Sequence, residues 1–207
     1  MKSILTAFLM IPLLVSAQTL DFGYVDINNI KARMDNDGRL FNNVSAGTHD
    51  FEVPIGSGLG TIYIGGLWMA GMKNNNVKAA AQVFQNGDFQ QGPVMDASWY
   101  ASQSGIWQRV WEITKDEIDN HIVNYASSGY VMPEVIENWP AHGDTSKGQA
   151  YYLAPFADVN SNGIYDPASG DFPKIKGDKT VYAIFNDDKI HNETGGDRFK
   201  MEVNATL

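Results

Sequence analysis

The chain has 207 residues, a formal net charge of −9 and no cysteine. An acidic surface repels phosphate backbones and anionic lipid, which excludes nucleic acid as a partner class. Without disulfides, a chain of this size relies on its core, or on a bound metal, for stability.

The N-terminus reads as a secretory signal peptide. Lys2 supplies the positive start, and Ile4 to Val15 is an apolar run broken only by Thr6 and Pro12. Val15-Ser16-Ala17 then offers small residues for cleavage after Ala17. The run is too short for a spanning helix, which needs about 20 apolar residues, and no later segment is a transmembrane candidate. Residues 1–17 are thus expected to be removed, leaving 18–207 as a single β-rich domain in a secreted or cell-surface protein. Cleavage takes away only the charge of Lys2.

Abundant aromatics, Gly and Asn, with few long amphipathic patterns, indicate a strand-and-turn protein. Asp26 to Met34 reads as a strand. Asp35-Asn-Asp-Gly38 then signals a hairpin turn, because the tight turn needs positive φ. Asp35 and Asp37 could alternatively hold a cation. Phe51-Glu-Val53 is a further strand. The glycine-rich stretch from Gly56 to Gly60 invites a nucleotide reading. That reading fails because Thr61 to Ile64 is β-branched and aromatic, where a phosphate loop needs a helix N-terminus. Val77 to Phe84 is read as a strand returning through Asn75-Asn76.

One helix is well marked. Thr114 and Glu117 form a capping box, Ile113 and Ile118 a hydrophobic staple. Ile118, Ile122 and Tyr125 are expected on its apolar face. A shorter helix is expected from Pro133 to Trp139. Trp107 and Trp111 fall in an expected strand before the cap. Val181 to Phe185 and Phe199 to Leu207 complete the strands. The expected fold is mainly β, with a sandwich as the candidate architecture and a helical insertion near 114–139. The pattern runs on to Leu207, so the chain is expected to be the N-terminal part of a longer protein, truncated within this domain.

The chemistry is concentrated in Asp158-Val-Asn-Ser-Asn-Gly-Ile-Tyr-Asp166. Asp158, Asn160 and Asn162 occupy alternate positions, Gly163 allows a sharp turn, Ile164 offers a backbone carbonyl, and Asp166 follows. An EF-hand carries a bidentate Glu at the twelfth position. Here Ser169 stands there, and Asp171 is the natural substitute. Oxygen donors without His or Cys favour Ca²⁺ over Zn²⁺, in a structural role. The alternative is an Asn/Asp-rich turn whose side chains bond their own backbone.

Three other constellations are weaker. His142-Gly-Asp144 with Ser146 resembles pieces of a hydrolase triad, but no Gly-x-Ser-x-Gly elbow occurs. Asp187, Asp188, Glu193 and Asp197 around His191 form an acidic cluster open to three readings: a second metal site, a glycosidase pair, or a solvated loop. Trp68, Trp99, Trp107, Trp111 and Trp139 would be either core or a sugar-stacking platform.

Several segments together carry a resemblance. They are Phe51-Glu-Val-Pro54, Thr61 to Trp68, Trp107 to Ile118, Asn138-Trp-Pro-Ala-His-Gly-Asp144, Leu153 to Pro173, and His191 to Asn204. The chain resembles the N-terminal region of large exported proteins of Bacteroidota that carry a C-terminal type IX secretion sorting domain. The resemblance implies export, a surface or released location, and further β-domains downstream. It implies export machinery as a partner, with glycans or surface proteins as further candidates, and no reaction. The combined expectation is a non-enzymatic, adhesin-like or structural module stabilised by calcium, or else a glycan-binding module attached to a downstream hydrolase.

Overall fold

The computed structural model describes residues 20–207, so the signal-peptide reading lies outside the described residues. Strands hold 30% of the chain and helices 15%, which makes the fold mainly β. No helix among the described residues is long and apolar enough to cross a membrane.

The first sheet pairs β1 (Phe22–Val25) with β2 (Lys31–Asp35), and β2 in turn with β5 (Phe51–Glu52). Of the strand expected over 26–34, residues 31–34 form β2, while 26–30 are the turn that joins it to β1, with Asn28 at φ 70°. Asn tolerates this left-handed conformation better than most residues. Between β2 and β5, the short strands β3 (Asn42–Asn43) and β4 (Thr48–His49) form a small hairpin. Residues 61–64 form no named strand, and no helix starts there; Leu40 instead bridges to Gly65.

A second hairpin joins β6 (Trp68–Lys73) to β7 (Asn76–Ala81). Asn74 and Asn75 both have positive φ, as a tight turn of this kind requires. The turn thus falls one residue earlier than the sequence suggests. Then come β8 (Gln90–Gln91), α1 (Tyr100–Trp107) and β9 (Trp111–Thr114). Helix α1 was not foreseen. It carries no acidic first turn, no basic last turn and no side-chain cap. Trp107 ends this helix and Trp111 opens the strand, with ring centroids 6.1 Å apart.

Helix α2 (Lys115–Asn124) begins as expected. The Thr114 hydroxyl accepts from the Glu117 amide at 3.2 Å, and Glu117 accepts from the Thr114 amide at 2.8 Å. Its buried face is Ile118 and His121, whereas Ile122 and Tyr125 are exposed. The buried stripe is therefore rotated from the expected one, and a histidine takes a core position. Helix α3 (Glu134–Glu137) follows Pro133, and Ile136 is its buried anchor. Next are β10 (Phe156–Ala157), β11 (Phe172–Pro173), β12 (Lys179–Asn186) and β13 (Glu202–Thr206).

Strand β12 organises the rest. It pairs with β13 on one side, and with β9 and β8 in succession on the other. All its residues from Thr180 to Asn186 are buried. Because side chains alternate along a strand, Tyr182 and Ile184 face one way, into a core with Trp111, Ile113, Ile118, Ile136 and Trp139. Val181 and Ala183 face the other way and pack with Met34; Phe185 packs with Ala80 and Phe89.

The helical insertion has a definite base. The chain leaves the sheet after Thr114 and rejoins it at Lys179, and these two residues are directly paired. The Lys115 amide donates to the Asp178 carbonyl at 2.8 Å. Residues 115–178 thus form one lobe that covers the Tyr182 face of β12. The expected insertion near 114–139 is the N-terminal part of this lobe, which runs on to residue 178. The sheets are several and small rather than two broad layers.

Removing a buried side chain from the β12 core leaves a cavity with little room to relax. Ile184→Ala is expected to lower unfolding free energy by about 2–5 kcal/mol. Val123→Ala, at a position 76% exposed, is expected to stay within about 0.5 kcal/mol of wild type. Urea denaturation of both variants checks the assignment, and equal losses would contradict it.

Candidate cation loop and buried polar clusters

The loop from Asp158 to Asp171 is the connection of a minimal hairpin, in which Phe156 pairs with Pro173 and Ala157 with Phe172. Its short polar side chains turn back onto its own backbone. Asp158 accepts from the amides of Asn162 at 3.1 Å and Gly163 at 2.7 Å. Asn160 accepts from the same Asn162 amide at 3.0 Å, and Asn162 from the Ile164 amide at 2.7 Å. Gly163 has φ 78°, and Ser161 is also left-handed.

Asp171 locks the base. It is fully buried, and its two oxygens accept from the amides of Val159 and Asp166, both at 2.8 Å. Asp166 accepts from the Ser169 hydroxyl at 2.6 Å. Asn160, Asn162 and Ile164 lie at the surface, while Asp158 and Asp166 are half-buried.

The loop is also braced from outside. The Tyr165 amide donates to His142 Nε2 at 2.9 Å, and the Tyr165 hydroxyl donates to the Ile136 carbonyl at 2.6 Å. Burial pushes the Tyr165 hydroxyl far up from its ordinary pKa of 10, so it remains a donor. His121, itself fully buried, lies with Nε2 3.0 Å from the Asp171 carbonyl oxygen and Nδ1 3.1 Å from the Tyr130 hydroxyl. The Trp-Pro-Ala-His segment and the Asn/Asp loop, far apart in sequence, therefore meet at the His142–Tyr165 bond. Neither histidine was expected to brace this loop. For His121, its three-residue spacing from Ile118 was the available signal.

Among the described residues no group of three or more His, Cys, Asp or Glu side chains is assembled as a metal site. A cation here would depend on amide and carbonyl oxygens as well as carboxylates. The donor chemistry fits a hard ion: Asp158 Oδ1 and Asn160 Oδ1 converge on one amide, and each oxygen keeps a further lone pair.

The other constellations resolve into structural contacts. His142 accepts from Tyr165, while Asp144 accepts from the Ser146 amide at 3.0 Å and its hydroxyl at 2.6 Å, capping a short 3-10 turn. With Lys147 Nζ at 2.5 Å as the main cause, the Asp144 carboxyl is lowered to about 2. Around 187–197, Asp187 is fully buried and accepts from the amides of Phe199 and Met201 at 2.5 and 2.6 Å. Asp188 pairs with Arg198 at 3.0 Å. His191 reaches the carbonyl oxygens of Ala79 at 2.6 Å and Asp187 at 2.7 Å. Glu193 and Asp197 are exposed. The cluster is thus neither a solvated loop throughout nor a cleft with paired free carboxylates. Asp88 works in the same manner: burial opposes its ionised form, yet bonds from the Glu193 amide, the Thr194 hydroxyl and the Ala81 amide hold its carboxyl below the usual range. Trp107, Trp111 and Trp139 are buried, so the five tryptophans are not one platform; only Trp68 and Trp99 are exposed.

The Asp35–Gly38 turn forms as expected but lies inside the protein, with Asp35, Asn36, Asp37 and Arg39 all buried. Arg33 Nε donates to Asp35 at 2.6 Å, and Arg39 donates to Asp37 through its amide at 3.2 Å and Nη2 at 3.1 Å. Guanidinium groups, not a metal, face these carboxylates.

No protein-family model, curated protein or solved structure matches the chain.

Burial pushes the Asp35 carboxyl from 3.8 to about 6, against the pull of Arg33. A carboxyl raised on folding contributes stability that is complete below about 4 and is lost as pH rises through about 6. The stability of wild type relative to Asp35→Asn is therefore expected to fall from pH of about 4 to about 6.5 and then level off. Urea unfolding across this range measures it, and a difference independent of pH would contradict the assignment.

Proposed function

We propose that the chain is a non-enzymatic, calcium-stabilised module of a larger exported protein, adhesin-like or structural, at the cell surface or released from it. The observation that supports the calcium reading is the oxygen-only set of Asp158, Asn160, Asn162 and Asp166 on one turn through left-handed Ser161 and Gly163, closed at its base by buried Asp171. Asp158, Asn160, Asn162, Asp166 and the Ile164 carbonyl would supply oxygens to the ion, with Asp171 as carboxylate support. When bound, the ion would neutralise the carboxylates and hold the loop closed. The bonds from His121 and His142 would pass that rigidity to the insertion lobe. Support for the exported setting comes from the N-terminal sequence and from the resemblance to type IX-exported Bacteroidota proteins, which would make export machinery a partner.

An extracellular structural site works with a Kd on the order of 10⁻⁴–10⁻³ M. At about 10 mM Ca²⁺ such a site would add roughly 1.4–2.7 kcal/mol, or roughly 3–10 °C in melting temperature for a domain of this size. Chelation is expected to remove that increment, added Ca²⁺ to restore it, and Asp158→Ala to abolish the difference. Differential scanning calorimetry reads all three. Equal melting temperatures with and without chelator would remove the ion from this account.

A further inference from the structure

A cavity of about 450 Å³ opens beside the buried turn, within the ordinary size range of small-ligand sites. Asp37, Arg39 and Gln91 line it and are all more than nine-tenths buried; Lys189, Asn192 and Glu193 also line it, nearer its mouth. The lining mixes signs and roles. Two cations, Arg39 and Lys189, are matched by two carboxylates, so the formal charge cancels, and the four amides (Gln85, Asn86, Gln91 and Asn192) each donate and accept. An ion would want one sign of charge, and an apolar ligand would strand these polar groups. Hydroxyls suit the lining best, because each donates and accepts at once. We propose that this cavity binds a neutral sugar of one or two rings.

A second observation supports a built site. A turn of Asp, Asn, Asp and Gly normally sits in solvent. This one is held inward: Gly38 has φ +84°, and a Cβ there would meet the Phe185 ring at 2.4 Å. Burying the charges costs stability unless every group is paired. Asp35 Oδ2 and Arg39 Nη1 stand 3.8 Å apart, closed off from solvent and without a hydrogen-bond partner among the described residues, so the strain lies in the turn behind the lining and not on the surface a ligand meets. Departures of this kind from folding economy concentrate at functional sites. The wall is held as well, since Lys189 Nζ donates to the Gly87 carbonyl at 3.1 Å. Each oxygen of Asp37 already accepts from Arg39 and keeps a lone pair for a ligand.

The cavity uses no residue of the 158–171 loop, so it stands apart from the cation reading. The test is saturation-transfer NMR on the whole chain with glucose, galactose, mannose, N-acetylglucosamine, cellobiose and lactose, alongside glucuronate and inorganic phosphate. At least one neutral sugar is expected to bind. Its affinity should weaken at least tenfold in Asn192→Ala and in Glu193→Ala, changes of exposed lining side chains that keep the wild-type melting temperature. Gln91→Ala probes the floor, and the two surface variants decide the outcome if it fails to fold. Binding of the anions alone, binding unchanged in both surface variants, or no saturation transfer to any neutral sugar would overturn the proposal.

Discussion

The strand Lys179–Asn186 has no solvent face, and the rest of the molecule is arranged to keep it so. Tyr182 and Ile184 require one cover, Val181, Ala183 and Phe185 another. Strand β9 and the insertion lobe supply the first with Trp111, Ile118, Ile136 and Trp139; strand β2 and the Trp68–Ala81 hairpin supply the second through Met34 and Ala80. This explains how several sheets of two to four strands make one stable body. Three of the five sheets among the described residues have only two strands, and three or more with an apolar face are the usual minimum for stability. A shared central strand removes that requirement.

Buried carboxylates take the place that disulfide cross-links fill in many small domains. Asp88, Asp171 and Asp187 are each fully buried, and each accepts from at least two backbone amides belonging to distant or irregular segments. A buried carboxylate bonded to several backbone amides fixes loop geometry without secondary structure. Irregular stretches such as 158–171 and 187–201 are thereby ordered from within. The acidic composition, read from sequence as a surface property, is partly an interior one.

Legibility in the sequence followed the locality of the signal. The Thr114 capping box, the Asp-Gly turn and the Lys179–Asn186 strand are set by neighbouring residues and were readable. Helix α1 was not: its eight residues carry no capping side chain and almost no apolar periodicity, and it is held by tertiary contacts of Trp107 with Trp111 and of Tyr100 with Met95 and Asp188. The alternation that put Trp107 and Trp111 on one strand face described two residues that do meet, by a different route. Burial of the Asp35–Gly38 turn was equally invisible, because the partners of its charges, Arg33 and Arg39, look like ordinary surface residues in one dimension. In the candidate cation loop the alternating oxygens were legible. Their bracing by His121 and His142 depends on contacts 50 and 23 residues away.

The clasp between Lys115 and Asp178 has a mechanical consequence. With entry and exit joined at neighbouring rungs of the sheet, the lobe hangs from the chain as a closed side branch. Tension drawn between the two ends of the polypeptide would cross the clasp from strand to strand. The calcium-loop candidate would feel no load until those rungs part.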